Sequence, residues 1–395
     1  VAAELRRVLG VGGATVVGVG AMLGTGAFAA WTPASALAGD ALLLALAAAA
    51  VVAALNATST ASLARVLPQA GGAYAYGRAF LSRPAGVAAG YAFVIGKSAS
   101  AGAAALTIGA YAWPGQERLV GLVAIAVALA LDVRGIVKSV RVTAALVTFV
   151  IVVLATLVLT ARAHPIDAAA IVSAGEVPNS PTAPALLAAA GILFVAFAGY
   201  ARITVLGEEV RDPARTIPLA MIASFAIIIV IYVVLGLMVM QAVNDGVELS
   251  AAPLESISAA VGPGAVESLV RVAAVIAAGA VLLSLLAGIG RTLFAMGRGG
   301  DAPGSLAVIT PGTGVPARAE VLAAAIAALV VLAGGIGLAL ALSAAMILTY
   351  YGVAHLAVLA RVRRREFPPA LAIVAVVGLL GCAAIVGGLL AAIAS

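Results

Sequence analysis

The chain has 395 residues, of which 64% are hydrophobic and 10% charged, and its mean hydropathy is +1.21. This composition excludes an ordinary soluble domain and a disordered chain, and places the protein among polytopic membrane proteins. The net charge of +6 does not point to nucleic acid, because the basic residues fall in short segments between apolar runs. The single cysteine, Cys382, excludes an intrachain disulfide and a cysteine-based metal site.

A helix needs about 20 apolar residues to cross the hydrocarbon core. Eleven spans are expected, at 9–32, 41–66, 86–112, 118–133, 142–161, 185–206, 217–241, 268–297, 319–338, 340–360 and 370–393. Arg6 and Arg7 precede the first, but that run is longer than the roughly 7–15 residues of a signal-peptide core, so it reads as a membrane helix. The fourth span is short, and Gly334-Gly335-Ile336-Gly337 predicts a tight turn between the ninth and tenth. With the N-terminus inside, 17 of the 22 lysines and arginines fall in inside segments and three (Arg118, Arg162 and Arg271) outside. That bias predicts a cytoplasmic N-terminus. Outside segments 163–184 and 242–266 carry acidic residues with Pro and Gly, and read as ordered caps or short lids.

Two spans are interrupted by glycine in corresponding positions of the two halves. The first carries Gly18-Val19-Gly20-Ala21-Met22-Leu23-Gly24-Thr25-Gly26, the sixth Phe194-Val195-Ala196-Phe197-Ala198-Gly199-Tyr200. A broken helix in lipid frees backbone N–H and C=O groups, which is tolerable only where the gap is buried or lines a wet cavity. Paired breaks therefore point to a transporter's substrate site. Gly24-Thr25-Gly26 is the candidate cradle for a carboxylate, with the Thr25 hydroxyl as a further donor. A helix-packing face through Gly20-xxx-Gly24 is the alternative reading. A dinucleotide fingerprint is excluded because no strand precedes the glycines.

Lys97 sits near the middle of the third span. A lysine at that depth costs at least about 2.5–3.5 kcal/mol on insertion scales. An ammonium stripped of water gives up its proton more readily, so Lys97 is the candidate proton-coupling group; a structural pairing with a carbonyl is the alternative. Arg202 follows the sixth-span break and is a candidate gate, or an inner ion pair with Glu208 or Glu209. Ser284 is mid-depth in the eighth span, where its hydroxyl could ligand sodium, contact Lys97 or pack against a helix carbonyl. Tyr350 and Tyr351 in the tenth span are candidates for closing the outer side, and Asp132 and Arg134 read as structural. His164 and His355 belong to no cluster with metal spacing. No nucleophile–base constellation, P-loop or ring-forming charged constriction is present. The expectation is a protein that is not an enzyme and takes no cofactor beyond a proton gradient.

The motifs occur in a familiar order. They are Gly18 to Phe28, Pro68-Gln69-Ala70-Gly71-Gly72-Ala73-Tyr74-Ala75-Tyr76, Phe194 to Tyr200 with Glu208 to Pro218, Ser284 with Gly288 to Arg298, and Thr313-Gly314-Val315-Pro316. Across about 330 residues the chain resembles the amino acid–polyamine–organocation transporter superfamily, which has the LeuT-like fold. The resemblance implies an all-α membrane protein with inverted repeats at about 9–161 and 185–360, discontinuous first and sixth spans, and an accessory helix at about 370–393. It implies alternating access, with spans one, two, six and seven rocking against three, four, eight and nine. Relatives usually have twelve helices.

By the same resemblance a substrate carboxylate meets amides at Gly24, Thr25 and Gly26. Its ammonium meets carbonyls near Ala21, Met22, Phe197 and Ala198, and Phe197 and Tyr200 act as aromatic lids. Many relatives carry an acidic residue where this chain has Ala201, and some place a coupling lysine where it has Val150. The pathway thus holds Lys97 and Arg202 with no anion, which disfavours a cationic substrate. The expected activity is proton-coupled uptake of a neutral or weakly acidic amino acid across a bacterial plasma membrane. An ion-independent exchanger, and a membrane sensor or subunit that binds amino acids without moving them, are the alternatives. The lipid bilayer and a small amino acid are the expected partners.

Overall fold

The computed structural model describes residues 9–67, 71–134, 140–164, 181–204, 210–262, 264–310 and 313–394. Arg6, Arg7, Pro68-Gln69-Ala70, Lys138, Glu208 and Glu209 lie outside the described residues. The described chain is helical and contains no strand. Its one β-bridge joins Leu9 to Val210, with Arg211 N–H donating to the Leu9 carbonyl at 2.8 Å. The start of the first span is thereby tied to the segment after the sixth.

The first span is α1 (Val11–Met22) followed by α2 (Thr25–Ala29), and α3 (Trp31–Ala38) continues from it. Next come α4 (Leu42–Val66), the short α5 (Ala73–Phe80), α6 (Arg83–Ala112), α7 (Glu117–Val133) and α8 (Val140–Ala163). The sixth span is α9 (Ala183–Phe197) and α10 (Ala201–Thr204), joined by a 3-10 turn at Ala198–Tyr200. Then follow α11 (Pro213–Asn244), α12 (Pro253–Val261), α13 (Gly264–Arg298), α14 (Ala317–Ala333), α15 (Ile336–Arg363) and α16 (Ala370–Ala394). Helix starts carry their own signals. Ser82 accepts from Ala85 N–H at 3.3 Å and Thr182 from Ala185 N–H at 3.4 Å, each with proline in the first turn.

Nine helical runs among the described residues are long and apolar enough to cross a membrane. Of the eleven expected, α7 and α14 fall short at 17 residues each. Each rises about 25 Å at 1.5 Å per residue, near the lower limit for spanning. The ninth span also ends earlier than expected. The turn is Gly334-Gly335 alone, and Ile336 already belongs to α15. The cap expected within 242–266 contains α12; most of 163–184 is outside the described residues.

Packing sorts the spans into two groups. Helix α6 is the hub of one, buried along most of its length and packed by α5, α7, α13, α14 and α15. Small residues such as Gly96, Ala99 and Ala103 keep that helix narrow enough for so many neighbours. The other group pairs α1 with α11 and α4 with α9. Helix α16 packs on α15, α9 and α4, across the seam between the groups.

Candidate functional site

The chain leaves helical geometry in the first span at Leu23 (φ −75°, ψ 71°) and Gly24 (φ −137°, ψ −137°). Leu23 N–H donates back to Val19 O at 2.7 Å, and Ala27 N–H to Gly24 O at 3.0 Å. The amides of Thr25 and Gly26 therefore start α2 with no intrahelical acceptor. Because α2 has only five residues, its aligned dipole is small, and these amides act as individual donors. Thr25 is buried and its hydroxyl has no hydrogen-bond partner among the described residues.

The sixth span does not unwind as expected; it tightens. Ala198 (φ −64°, ψ 0°) ends α9 and opens the 3-10 turn that leads into α10. Tighter winding rotates the carbonyls off the α-helical ladder, and the Ala198 carbonyl accepts from Lys97 Nζ at 3.4 Å. That bond is long for an ammonium, and it is the one hydrogen bond the ammonium makes among the described residues, although it has three donors. Lys97 is only 9% exposed.

The two breaks touch. A Cβ on Gly26 would strike the Ala196 backbone, and one on Gly199 would strike the Ala21 carbonyl. Only glycine allows backbones this close. Tyr232 of α11 bridges both breaks, its hydroxyl reaching Met22 O at 2.6 Å and Ala196 O at 3.2 Å. The polar space expected between the breaks is thus shut in this conformation. A cavity of about 450 Å³ lies elsewhere, at the ends of α8, α11 and α12.

Aromatic rings seal the surroundings. Phe197 stacks on Phe225 with centroids 6.2 Å apart and meets Tyr232 edge-on at 5.2 Å. Tyr200 stacks on Tyr351 at 5.7 Å, and Phe194 meets Tyr351 edge-on at 6.2 Å. Towards α12, Tyr111 donates to Phe28 O at 2.7 Å and accepts from Leu254 N–H at 3.3 Å. This ties α12 to α2 through α6. Arg271 of α13 adds ion pairs to Glu255 at 2.6 Å and Glu267 at 2.9 Å.

The predicted residues divide accordingly. Ala21, Met22, Gly24, Thr25, Gly26, Phe197, Ala198 and Tyr200 are brought to one place, and Lys97 reaches it from α6. Ala201 and Arg202 lie half-buried on α10, and the acidic partners suggested for Arg202 are outside the described residues. Ser284 is half-buried on α13 and forms no hydrogen bond with the described residues. Lys97 turns to Ala198 instead. Val150 is a buried apolar residue of α8. Tyr350 is engaged by α5. Its hydroxyl accepts from Ala73 N–H at 2.9 Å, at the start of α5, in the segment that the charge bias places inside. Tyr232, Tyr111 and Phe225 were not picked out from the sequence. Tyr232 had a legible signal, a lone hydroxyl in an aliphatic run.

A model of the amino acid permease family matches residues 9–394. The chain belongs to the amino acid permease family, of the amino acid–polyamine–organocation type. It is a multi-pass membrane protein. An "uncharacterized transporter" of Mycobacterium tuberculosis is 40% identical over 380 residues, 96% of this chain and 85% of that protein. The branched-chain amino acid permease of Bacillus subtilis is 25% identical over 335 residues, 78% of this chain and 70% of its own length. The methylthioribose transporter of the same organism is 28% identical over 356 residues, 82% and 74%.

Proposed function

We propose that this permease is a proton-coupled secondary transporter of neutral or weakly acidic amino acids, working by alternating access in a bacterial plasma membrane with its N-terminus in the cytoplasm. The observation that carries the reading is the Lys97 ammonium, buried where the two breaks meet and bonded, among the described residues, to a single carbonyl. A buried, half-satisfied cation calls for an anionic partner or for loss of its proton. A substrate carboxylate supplies the first, with the amides of Thr25 and Gly26 and the free Thr25 hydroxyl as further donors. Carbonyls at Ala21, Met22 and Ala198 supply acceptors for the ammonium of the substrate. No carboxylate side chain stands at Ala201, so a cationic substrate would face the Lys97 ammonium across the breaks. The rings of Phe197, Phe225 and Tyr200 suit an apolar side chain, as does the likeness to a branched-chain amino acid permease.

A second reading rests on the same contact. Lys97 occupies a carbonyl that a ligand's ammonium would need, which favours an uncharged polar solute; the likeness to a methylthioribose transporter agrees.

The test starts with thermal-shift screening of the purified protein against the standard amino acids and methylthioribose, since a ligand of the folded state raises its stability. Ligands that stabilise go to liposome uptake with and without a pH gradient. Concentrative, gradient-dependent uptake of a neutral amino acid is expected, and Lys97→Met should abolish the gradient dependence. Counterflow without concentrative uptake would favour the exchanger, and binding without flux the sensor. Lys97→Met with full gradient-driven uptake would remove Lys97 from coupling.

A further inference from the structure

A buried histidine stands one turn along α15 from a ring that grips the second break. That ring is Tyr351, edge-on to Phe194 of α9 at 6.2 Å and stacked on Tyr200 of the 3-10 turn at 5.7 Å. His355 follows four residues later on the same face of α15. Its Nε2 lies 2.7 Å from Asn56 Oδ1 and its Nδ1 2.9 Å from Ser59 Oγ, both on α4. A carbonyl oxygen only accepts, so the ring hydrogen is on Nε2. Burial keeps the ring neutral, and its bare Nδ1 accepts from the Ser59 hydroxyl. Asn56 Oδ1 also accepts from Cys382 Sγ of α16 at 3.3 Å, while Asn56 Nδ2 has no partner among the described residues. Gly378 of α16 lies against the ring, and a Cβ there would strike the imidazole.

Three helices thus meet on one imidazole. Aromatic contacts tolerate sliding of one ring over another, so those of Tyr351 do not by themselves fix where α15 sits. Two hydrogen bonds made at once by a rigid ring do. A small slip of α15 along α4 would strand His355, Asn56 and Ser59 together, and all three are buried. Helix α4 also packs directly on α9, so it carries the same reference to the first half of the sixth span. We propose that His355 is a positioning residue for the second break. By locking α15 to α4 it sets Tyr351 against Phe194 and Tyr200, and so holds the 3-10 turn closed on the first break. Helix α16, an accessory helix by resemblance, takes part through Cys382 and Gly378. The proposal rests on the reading of the two breaks as the substrate site.

The experiment labels single cysteines with a maleimide in the full chain in liposomes. Cys382→Ser is the background, since serine keeps a donor for Asn56. One reporter is Thr25→Cys at the first break; the other is Ala327→Cys on α14, a buried position beside Gly102 of α6. His355→Leu should speed labelling of Thr25→Cys about tenfold and change that of Ala327→Cys by less than about twofold. His355→Gln, whose amide N–H still reaches towards Asn56, should recover most of the closure. Should His355→Leu fail to fold, Asn56→Ala cuts the same link from α4 and should act in the same way. Equal acceleration at both reporters would make His355 a tie for stability alone, and no acceleration at Thr25→Cys would remove it from the break; either result overturns the proposal. With the amino acid selected by thermal shift, His355→Leu should also raise the KM of uptake, and a lower melting temperature with an unchanged KM counts against it. If no amino acid binds, the reading of the site fails, and the labelling alone then decides whether His355 holds the break.

Discussion

In the first span the chain abandons the helix at Leu23 and Gly24, whereas in the sixth it winds more tightly through Ala198–Tyr200. The two breaks therefore offer different chemistry. The first presents amide donors and a free hydroxyl at Thr25; the second presents a carbonyl, which Lys97 takes. A site with donors on one wall and an acceptor on the other suits a ligand that carries both kinds of group. The sealing contacts also differ. Gly26 lies on the Cα and Cβ of Ala196, next to last in α9, while Gly199 lies on the peptide between Ala21 and Met22 at the end of α1.

These two contacts give the largest expected effect. Leucine at Gly26 or Gly199 would force two backbones apart, and overpacking of this kind costs about 1–3 kcal/mol or more. Uptake should fall to background for both. Alanine should act alike at the two positions, because each new methyl would meet backbone atoms at the next-to-last residue of a regular helix. Gly26→Ala and Gly199→Ala should therefore lower the melting temperature and the uptake rate by comparable amounts. Unequal losses would mean that one break yields more readily than the other.

Tyr232 is the next lever, because one hydroxyl serves carbonyls from both breaks. Tyr232→Phe keeps the ring packing against Trp31 and Phe197 and leaves Met22 O and Ala196 O without that donor. A lost buried hydrogen bond costs about 1–2 kcal/mol. The closed form should lose stability, read as a lower melting temperature and faster labelling of a cysteine introduced at Thr25. Unchanged labelling would show that the hydroxyl does not hold the breaks shut.

The first break was legible because it is written locally. Glycines cluster within one span, and a broken span in lipid has few tolerable settings. Lys97 was legible for a similar reason, since charge at that depth needs an explanation. The shape of the second break was not legible: Gly199 signals close approach as readily as unwinding, and only the Ala21 carbonyl beside it decides. The partner of Tyr350 was not legible because depth along a helix does not say which neighbour a side chain meets. Helices α7 and α14 sit at the length limit, where composition and packing disagree about what counts as a span.

A region outside the breaks provides a contrast in pH response. Asp301, just after α13, receives Arg78 and Tyr74 of α5 (Tyr74 at 2.9 Å), and Arg83 of α6 at 2.7 Å. Burial opposes ionisation of its carboxyl, but the hydrogen bonds from Arg83 and Tyr74 and the charges of both arginines outweigh burial and hold it below the ordinary value. The carboxyl is covered by these partners, yet it lies near the protein surface, so the clamp contributes about 1 kcal/mol at most. With the folded value depressed, this contribution is complete above the unfolded value of about 3.9 and disappears as pH falls through the lower folded value. Melting temperature should be insensitive to Asp301 titration between neutral pH and mild acid. Asp301→Asn should lower it at neutral pH and remove that part of the acid-induced fall. Since the clamp joins α5 to the α6-centred group, transport should change less than in Tyr232→Phe. A larger transport loss would mean that the clamp takes part in opening.

The smallest effect is expected at Ser284, and it bears on which ion is used. A sodium site needs several oxygens converging on one point, and Ser284 is half-buried with no hydrogen bond to the described residues. Its nearest functional neighbour in the sequence reading, Lys97, is directed at Ala198 instead. Ser284→Ala should therefore shift stability by less than about 0.5 kcal/mol and leave the ion dependence of uptake unchanged. A sodium-dependent wild type whose dependence vanishes in Ser284→Ala would mean that the acceptor wall of the second break extends to α13, and that Lys97 is a neighbour of the coupling ion instead of its substitute.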